Sequence, residues 1–194
     1  MKILNQAGKF FFFVMISVIM FSCTAPTYLT NWRDANYTKK FNKILVVALI
    51  KDLEFRKAYE EKVSLALIED SVTAIKSLNL LPYKDEISKA DLEKVVVEGK
   101  YDGLMILKYG GTTTTDVSYN SSYYDYYHSW YGGYGGYIER HKTVKMETIL
   151  FSVEKKKPVW AGQTKTYDAW NADELAQSIA VEIVANLKQE SLIK

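Results

Sequence analysis

The residues of this chain best suited to chemistry are two histidines, one cysteine and 23 carboxylates. Asp125 and His128 form a D-x-x-H pair, and Asp116 precedes them, a spacing that metal ligands can adopt. A metal site in a protein needs three or four well-placed ligands, and the second histidine, His141, does not stand beside the pair. We interpret these side chains as solvated and predict no metal site.

Nucleophilic and phosphate chemistry are not indicated by the motifs either. No serine stands in a G-x-S-x-G elbow. Residues 110–113, GGTT, lack the P-loop pattern, and no helix is predicted to begin there. One predicted helix carries four carboxylates that we interpret as a solvated face: Glu60, Glu61, Glu69 and Asp70. The sequence therefore predicts no catalytic residue and no enzyme, with a hydrolase as the distant alternative.

The single cysteine, Cys23, follows Ser22 and an apolar run at residues 10–21 that only Ser17 interrupts. This run is too short to span a bilayer and fits the h-region of a secretory signal. The residues MFSC resemble the lipobox of bacterial lipoproteins, although Met20 and Phe21 stand where leucine and a small residue are more usual. The resemblance implies a signal peptide at residues 1–22 and a covalent lipid on Cys23, with no other cofactor. Cleavage after residue 25 and an uncleaved anchor are the alternatives.

The predicted mature chain carries no net charge. The whole chain has 25 lysines and arginines against 23 aspartates and glutamates. Residues 1–22 contain Lys2 and Lys9 and no acidic residue, so removing them leaves the two signs equal. Without a basic field, we expect no nucleic-acid partner. A composition of 48% hydrophobic and 25% charged residues suits one globular domain.

The first elements follow from apolar patterning. Residues 41–50 form a continuous apolar run rich in β-branched residues, which predicts a strand buried on both faces. Residues 53–70 place apolar side chains at spacings of three and four, which predicts a helix. Arg56 and Glu60 stand at i,i+4, and we expect them to pair on its outer face. Residues 23–40 lack sustained periodicity, and we interpret them as a lipidated tether.

The later elements complete an α/β order. They are predicted as a strand, a helix, a strand, a hairpin and a final helix at residues 72–77, 88–98, 104–107, 143–166 and 171–187. Ser88 and Asn171 are expected to cap the two helices. The order β-α-β-α-β, followed by a hairpin and a C-terminal helix, predicts an α/β (or α+β) fold with helices packed on a mixed sheet. Residues 41–194 would form this single domain.

This layout resembles that of a group of poorly characterised Gram-negative envelope lipoproteins. The resemblance rests on FNKILVVALI, SLNLLP, YDGLMIL, a Tyr/Gly loop and TILFSVEKKKPVWAGQTKT, and it covers most of residues 32–190. The order of elements is similar to that of the small α/β domain of curli-secretion-type and penicillin-binding-protein-activator lipoproteins. No catalytic motif is part of the resemblance. It implies an envelope role in assembly or partner binding.

The loop at residues 119–137 is the most unusual part of the sequence, because tyrosine and glycine dominate it. Tyrosine combines a large ring with a polar tip and few rotatable bonds, which suits binding loops. Three uses remain open: anchoring an envelope protein, stacking on sugar rings, or extending a central hairpin whose tyrosines cover the sheet. The candidate binding residues are Tyr123, Tyr124, Tyr126, Tyr127, Trp130, Tyr131, Tyr134 and Tyr137.

These observations together predict a lipid-anchored protein of the cell envelope. We expect it at the outer membrane, facing the periplasm, with a non-catalytic role in assembly or partner binding through the Tyr/Gly-rich loop. Its expected partners are the membrane, through the lipid, and an envelope protein. A glycan- or peptidoglycan-binding lipoprotein is the alternative.

Overall fold

The computed structural model describes residues 25–81, 87–119 and 137–194. Within these ranges the chain forms a mixed six-stranded sheet with helices packed on it, which confirms the predicted α/β architecture. The strands are β1 (Thr27–Arg33), β2 (Lys43–Leu49), β3 (Thr73–Lys76), β4 (Gly103–Tyr119), β5 (Tyr137–Ser152) and β6 (Lys157–Tyr167). The helices are α1 (Leu53–Glu69), α2 (Lys89–Glu98) and α3 (Ala172–Gln189), and a 3₁₀ turn spans Ser77–Asn79.

The sheet has the strand order β1-β6-β5-β4-β2-β3. β2 pairs in parallel with β3 and β4, whereas all other neighbours are antiparallel. The parallel strands are connected through α1 and α2, as the predicted β-α-β-α-β order requires. The hairpin of β5 and β6 then extends the sheet, and β1 forms the edge beyond β6.

Successive residues of β2 point to opposite faces of the sheet and so belong to two cores. Ile44 and Val46 lie in the larger core, which contains the buried sides of α1 and α3. Leu45 and Val47 lie in the smaller core, which contains Leu92 and other residues of α2. The continuous apolar run of β2 is therefore explained by burial on both faces.

Each helix begins at a side chain that accepts a hydrogen bond from the first turn. Asp52 Oδ1 accepts from the Phe55 amide at 2.9 Å, before α1. Ser88 Oγ accepts from the Asp91 amide at 3.1 Å, as predicted for α2. Before α3, Asn171 Oδ1 accepts from the Glu174 amide at 2.8 Å, as predicted for this helix.

The predicted tether at residues 23–40 contains the edge strand β1. Its residues pair with β6 in an antiparallel register that runs from Thr27 opposite Thr166 to Arg33 opposite Trp160. β1 is only half-buried, and Tyr28 is 67% exposed. An edge strand that faces water on much of its surface has no apolar run, so its pattern did not indicate a strand.

The predicted pair of Arg56 and Glu60 forms, but its predicted place on the outer face of α1 is wrong. The Arg56 Nε–Glu60 Oε1 distance is 3.2 Å, and the two side chains are 2% and 0% exposed. The prediction of Glu60 as a solvated carboxylate is wrong for the same reason. α1 contacts the sheet and also packs against α3, so its buried surface is wider than the apolar stripe alone indicates.

Candidate functional site

The hairpin of β4 and β5 continues beyond the rest of the sheet. β2 pairs with β4 as far as Leu49 opposite Lys108, and β6 pairs with β5 as far as Tyr167 opposite Thr143. The β4–β5 ladder continues to Tyr119 opposite Tyr137. We call its two-stranded end, residues 114–119 and 137–142, the arm. Six residues of extended strand make the arm about 20 Å long.

The described side chains of the arm are polar and largely exposed. Thr114, Thr115 and Asp116 on β4 are exposed, as is Arg140 on β5. Arg140 Nε donates to Asp116 Oδ1 at 2.9 Å, and its Nη2 donates to Oδ2 at 3.4 Å. The guanidinium holds the pKa of Asp116 below its usual value. Because this pair is exposed to solvent, it adds little to folding stability.

A bulge separates the core part of β4 from the arm. The pairing with β5 shifts between Tyr109 and Gly111, so that Gly110 has no partner on β5. Gly111 has a φ of 115°, a conformation that side chains rarely adopt. A bulge bends its strand and increases the local twist. The direction of the arm is therefore set at the point where β2 has ended.

The base of the arm is held by Asp168, which follows β6. His141 Nδ1 lies 2.6 Å from Asp168 Oδ2, and the Lys142 amide donates to Oδ1 at 2.6 Å. The Asp168 amide in turn donates to the Lys142 carbonyl at 2.8 Å. The contact with His141, followed by that with the Lys142 amide, lowers the pKa of Asp168. These contacts join β5 to the connection between β6 and α3.

A pocket of 620 Å³ lies beside the base of the arm. It lies beyond the carboxyl end of β2, and Tyr109 and Thr112 line it from within β4. Phe55, Val144 and Met146 are buried residues of its lining, whereas Tyr109 and Trp170 are 56% and 90% exposed. The remaining lining residues are Leu49, Ile50, Lys51, Asp52, Thr112, Lys142, Ala169, Asn171, Ala172 and Leu175.

Several polar groups of the pocket already have structural roles. Asp52 and Asn171 cap α1 and α3. The Tyr109 hydroxyl donates to Thr112 Oγ1 at 2.6 Å. Arg33, Ser64 and Ser178 carry the buried side-chain atoms that lack a hydrogen-bond partner within the described ranges, and none of the three lines the pocket. The pocket is thus an aromatic and aliphatic cleft with lysines among its lining residues.

Most of the predicted site lies outside the described residues. This holds for Cys23, for the D-x-x-H pair of Asp125 and His128, and for the candidate binding residues from Tyr123 to Tyr134. Tyr137 is the first residue of β5, and its backbone pairs with Tyr119. In the part of the chain that the structure describes, no group of three or more histidine, cysteine or acidic residues could hold a metal ion. None of the described helices is long and apolar enough to cross a membrane.

Sequence reasoning missed the pocket because four separate segments of the chain form it. Its two exposed aromatic residues are far apart in sequence, at Tyr109 and Trp170. Neither stands in a motif. Trp170 nevertheless carried a signal. It stands directly before the helix cap Asn171, and the cap itself does not require a large aromatic residue there.

No protein-family model and no curated protein matches this chain. Among solved structures, the chain is similar to the PelC dodecamer from Paraburkholderia phytofirmans, with 9% identity, a TM-score of 0.49, and coverage of 84% of this chain and 97% of that chain. It is also similar to lipoprotein GNA1162 from Neisseria meningitidis, with 13% identity, a TM-score of 0.44, and coverage of 76% and 99%. A PDZ domain protein from Parabacteroides distasonis has 12% identity and a TM-score of 0.41, and the match covers 89% of this chain and 38% of that chain. Each of these TM-scores is below 0.5.

Proposed function

We propose that this chain is a cell-envelope lipoprotein with a non-catalytic role in partner binding or assembly. A lipid on Cys23 would hold the α/β domain at the outer membrane, facing the periplasm. The Tyr/Gly-rich loop would bind an envelope protein. The observation that carries this proposal is the arm, because the loop joins its two strand ends.

The arm supports a binding role through its position and composition. Residues 120–136 follow a two-stranded ladder that extends about 20 Å past its last contact with the rest of the sheet. The described side chains of that ladder are polar and belong to neither core. The described side chains of the arm therefore add no packing to either core.

The partners of three described carboxylates support a non-catalytic role. Glu60 is buried and accepts four hydrogen bonds. Asp116 binds Arg140, and Asp168 holds the base of the arm. General acid–base catalysis needs a carboxylate that can reach a substrate. These carboxylates are instead used for internal contacts.

Replacing residues 120–136 with a Gly/Ser linker of equal length tests the proposed binding role. Wild-type and variant chains would be crosslinked in cells, and the proteins bound to each would be identified. A second variant would replace Tyr126, Tyr127 and Trp130 with serine. Its matched control would replace Tyr28 and Trp32, which are 67% and 53% exposed on β1. We expect specific envelope proteins to be lost with both loop variants and retained with the control. Unchanged binding in both loop variants would exclude the loop as the binding surface.

Lipid anchoring has a separate test. Cys23→Ser removes the only cysteine and should move the protein from the membrane fraction to the periplasmic fraction. A variant that stays in the membrane fraction would show that the apolar segment at residues 10–21 anchors the chain instead.

Glycan binding is the second candidate function, and the pocket is the observation that favours it. Tyr109 and Trp170 expose aromatic rings beside a cleft of 620 Å³, and aromatic faces can pack against the C–H groups of sugars. Retention on insoluble peptidoglycan would be measured for the full chain and for Trp170→Ala. Trp32→Ala, which removes an exposed tryptophan elsewhere, is the matched control. Retention that does not depend on Trp170 would exclude the pocket as the glycan site.

A further inference from the structure

One side of the sheet is left uncovered by the described helices along β1, β6 and most of β5. The larger core, which contains the buried sides of α1 and α3, covers the opposite side, where Met146 and Trp160 are buried. On the first side, α2 contributes to the smaller core over β2 and β4, and no residue of β1 or β6 belongs to that core. Side chains alternate between the two sides along a strand. The residues between the buried positions of β5 and β6 therefore point to the uncovered side.

We call this uncovered side the basic face and define it by the strand register, because residues directly opposite each other in a ladder share a side. Tyr28 lies opposite Lys165, and Trp32 points to the same side further along β1. Lys165 in turn lies opposite Lys145 of β5. The basic face comprises Tyr28, Thr30, Trp32, Lys108, Lys145, Glu147, Ile149, Ala161, Gln163, Lys165 and Tyr167.

Positive charge dominates the basic face. Lys108, Lys145 and Lys165 lie on it, against the carboxylate of Glu147. Lys145 and Lys165 are direct cross-strand neighbours, an arrangement of like charges that destabilises an antiparallel ladder. An anionic surface in front of the two ammonium groups would offset this repulsion. The basic face therefore favours an anionic partner.

The aromatic side chains of the basic face lie on and beside the edge strand β1. Tyr28 and Trp32 are 67% and 53% exposed. The rings of Tyr28 and Tyr167 meet edge to face, with their centroids 5.7 Å apart. Tryptophan and tyrosine are enriched where proteins meet the headgroup region of a bilayer, and nearby lysines add attraction to anionic lipids. Exposed rings and lysines on one surface thus match an anionic membrane.

The position of Cys23 favours the membrane over other anionic partners. Ala25 is buried, and the Pro26 carbonyl accepts from the Tyr167 amide at 2.9 Å, so the chain is already attached to the domain at these residues. Cys23 precedes Ala25 by two residues. Because a residue spans at most about 3.6 Å, the Cα atoms of Cys23 and Ala25 lie within about 7 Å of each other. A lipid on Cys23 would hold β1 close to the bilayer surface.

We propose that the basic face lies against the anionic headgroups of the membrane in which the lipid on Cys23 is inserted. This inference rests on the proposed lipid anchor and adds the orientation of the domain to it. Tyr28 and Trp32 would enter the headgroup region. Neighbouring strands are about 5 Å apart, so Lys165 and Lys145 lie within about 10 Å of β1 and reach the same surface. The helices α1 and α3 would face away from the membrane.

Fluorescence quenching on vesicles tests this orientation in the full lipidated chain. Its only cysteine would carry the lipid, so an introduced cysteine is the one free thiol. Thr30→Cys lies on the basic face, and Val181→Cys is exposed on α3 at the opposite side of the sheet. Each variant would be labelled with a fluorophore and added to vesicles of phosphatidylcholine and phosphatidylglycerol that contain a lipid with a nitroxide on its headgroup. We expect strong quenching at residue 30 and little at residue 181.

Charge reversal on the basic face gives the second readout. Lys165→Glu converts the like-charged pair with Lys145 into a pair of opposite charges, so the variant should fold. It should lose the stronger quenching at residue 30. High salt, or vesicles of phosphatidylcholine alone, should reduce that quenching as well, because the attraction is electrostatic. Lys57→Glu, the same charge change at an exposed lysine of α1, is the matched control and should leave the quenching unchanged.

The outcomes separate this proposal from the lipid anchor on which it rests. Equal quenching at residues 30 and 181, or quenching at residue 30 that Lys165→Glu leaves unchanged, would overturn the orientation while the anchor stands. A purified chain whose mass lacks the lipid would refute the anchor, and the orientation with it. Equal quenching at both positions, together with retention on peptidoglycan that Lys165→Glu abolishes, would assign the basic face to a glycan instead of the membrane.

Discussion

Glu60 is the centre of a buried polar network, and its replacement should be the most destabilising single change considered for this domain. Glu60 Oε1 accepts from the Ala48 amide at 3.1 Å, from Arg56 Nε at 3.2 Å and from Ser77 Oγ at 2.7 Å. Its Oε2 accepts from the Leu78 amide at 3.0 Å. The network therefore joins α1 to the end of β2 and to the 3₁₀ turn after β3.

The expected cost of Glu60→Ala follows from the groups that it leaves unpaired. Arg56 is 2% exposed, and removing one partner of a buried ion pair costs about 3–5 kcal/mol. The amides of Ala48 and Leu78 would lose their acceptor as well, at about 1–3 kcal/mol for each buried group that water cannot reach. These costs overlap, so we expect a loss of at least about 3–5 kcal/mol. For a domain of this size, that corresponds to a decrease in Tm of roughly 6–20 °C.

The assay is urea unfolding followed by circular dichroism, with two comparison variants. Glu154→Gln removes the pair with Lys39, whose side chains are 59% and 57% exposed, and should change the free energy of unfolding by less than about 1 kcal/mol. Arg56→Met with Glu60→Leu removes both buried charges, but two backbone amides still lack an acceptor. We expect the double variant to recover only part of the loss. A loss of unfolding free energy below about 1 kcal/mol for Glu60→Ala would refute the reasoning, because a buried arginine without its partner should destabilise the fold by more than this.

Three further changes test the geometry of the strands, the helix end and the arm. Gly111→Ala should lower the free energy of unfolding by roughly 1–3 kcal/mol in urea titrations, because φ is 115° there; no change would mean that the bulge does not require this conformation. Gly99→Ala should cost about 1–3 kcal/mol in the same assay, because the new Cβ would lie 2.1 Å from the buried Tyr101 ring; a neutral effect would mean that the ring moves freely. The Asp116 carboxyl should titrate below the ordinary value of 3.8 because Arg140 donates to it. Since its folded-state pKa is depressed, the pairing contributes above the ordinary pKa and is lost as the pH falls through the depressed value. Carboxyl NMR titration should show this pKa return to the ordinary range in Arg140→Gln, and an unchanged pKa would refute the pairing.

The parts of the fold that could be predicted are those where one local pattern determines the outcome. β2 is buried on both faces, so its sequence is a continuous apolar run. Ser88 and Asn171 accept from the first turns of their helices, as their position before apolar periodicity indicates. β1 could not be found in this way, because its pairing with β6 comes from a strand more than a hundred residues away. Arg56 and Glu60 are spaced to pair in any helix, but only the packing of α1 on both the sheet and α3 determines that the pair is buried.

The bulge at Gly110 and Gly111 divides β4 into a part that belongs to the core and a part that extends beyond it. Before the bulge, residues 104–107 are apolar and contribute to both cores. After it, Thr112 to Asp116 are polar and exposed. A strand that belonged to the core along its whole length could not change composition so abruptly without leaving buried polar groups unpaired. Substitutions at Thr112 to Asp116 should therefore alter the proposed partner binding while the urea midpoint of the domain stays constant. Substitutions at Gly111 should change both properties together, because that residue sets the direction of the arm as well as the register of the sheet.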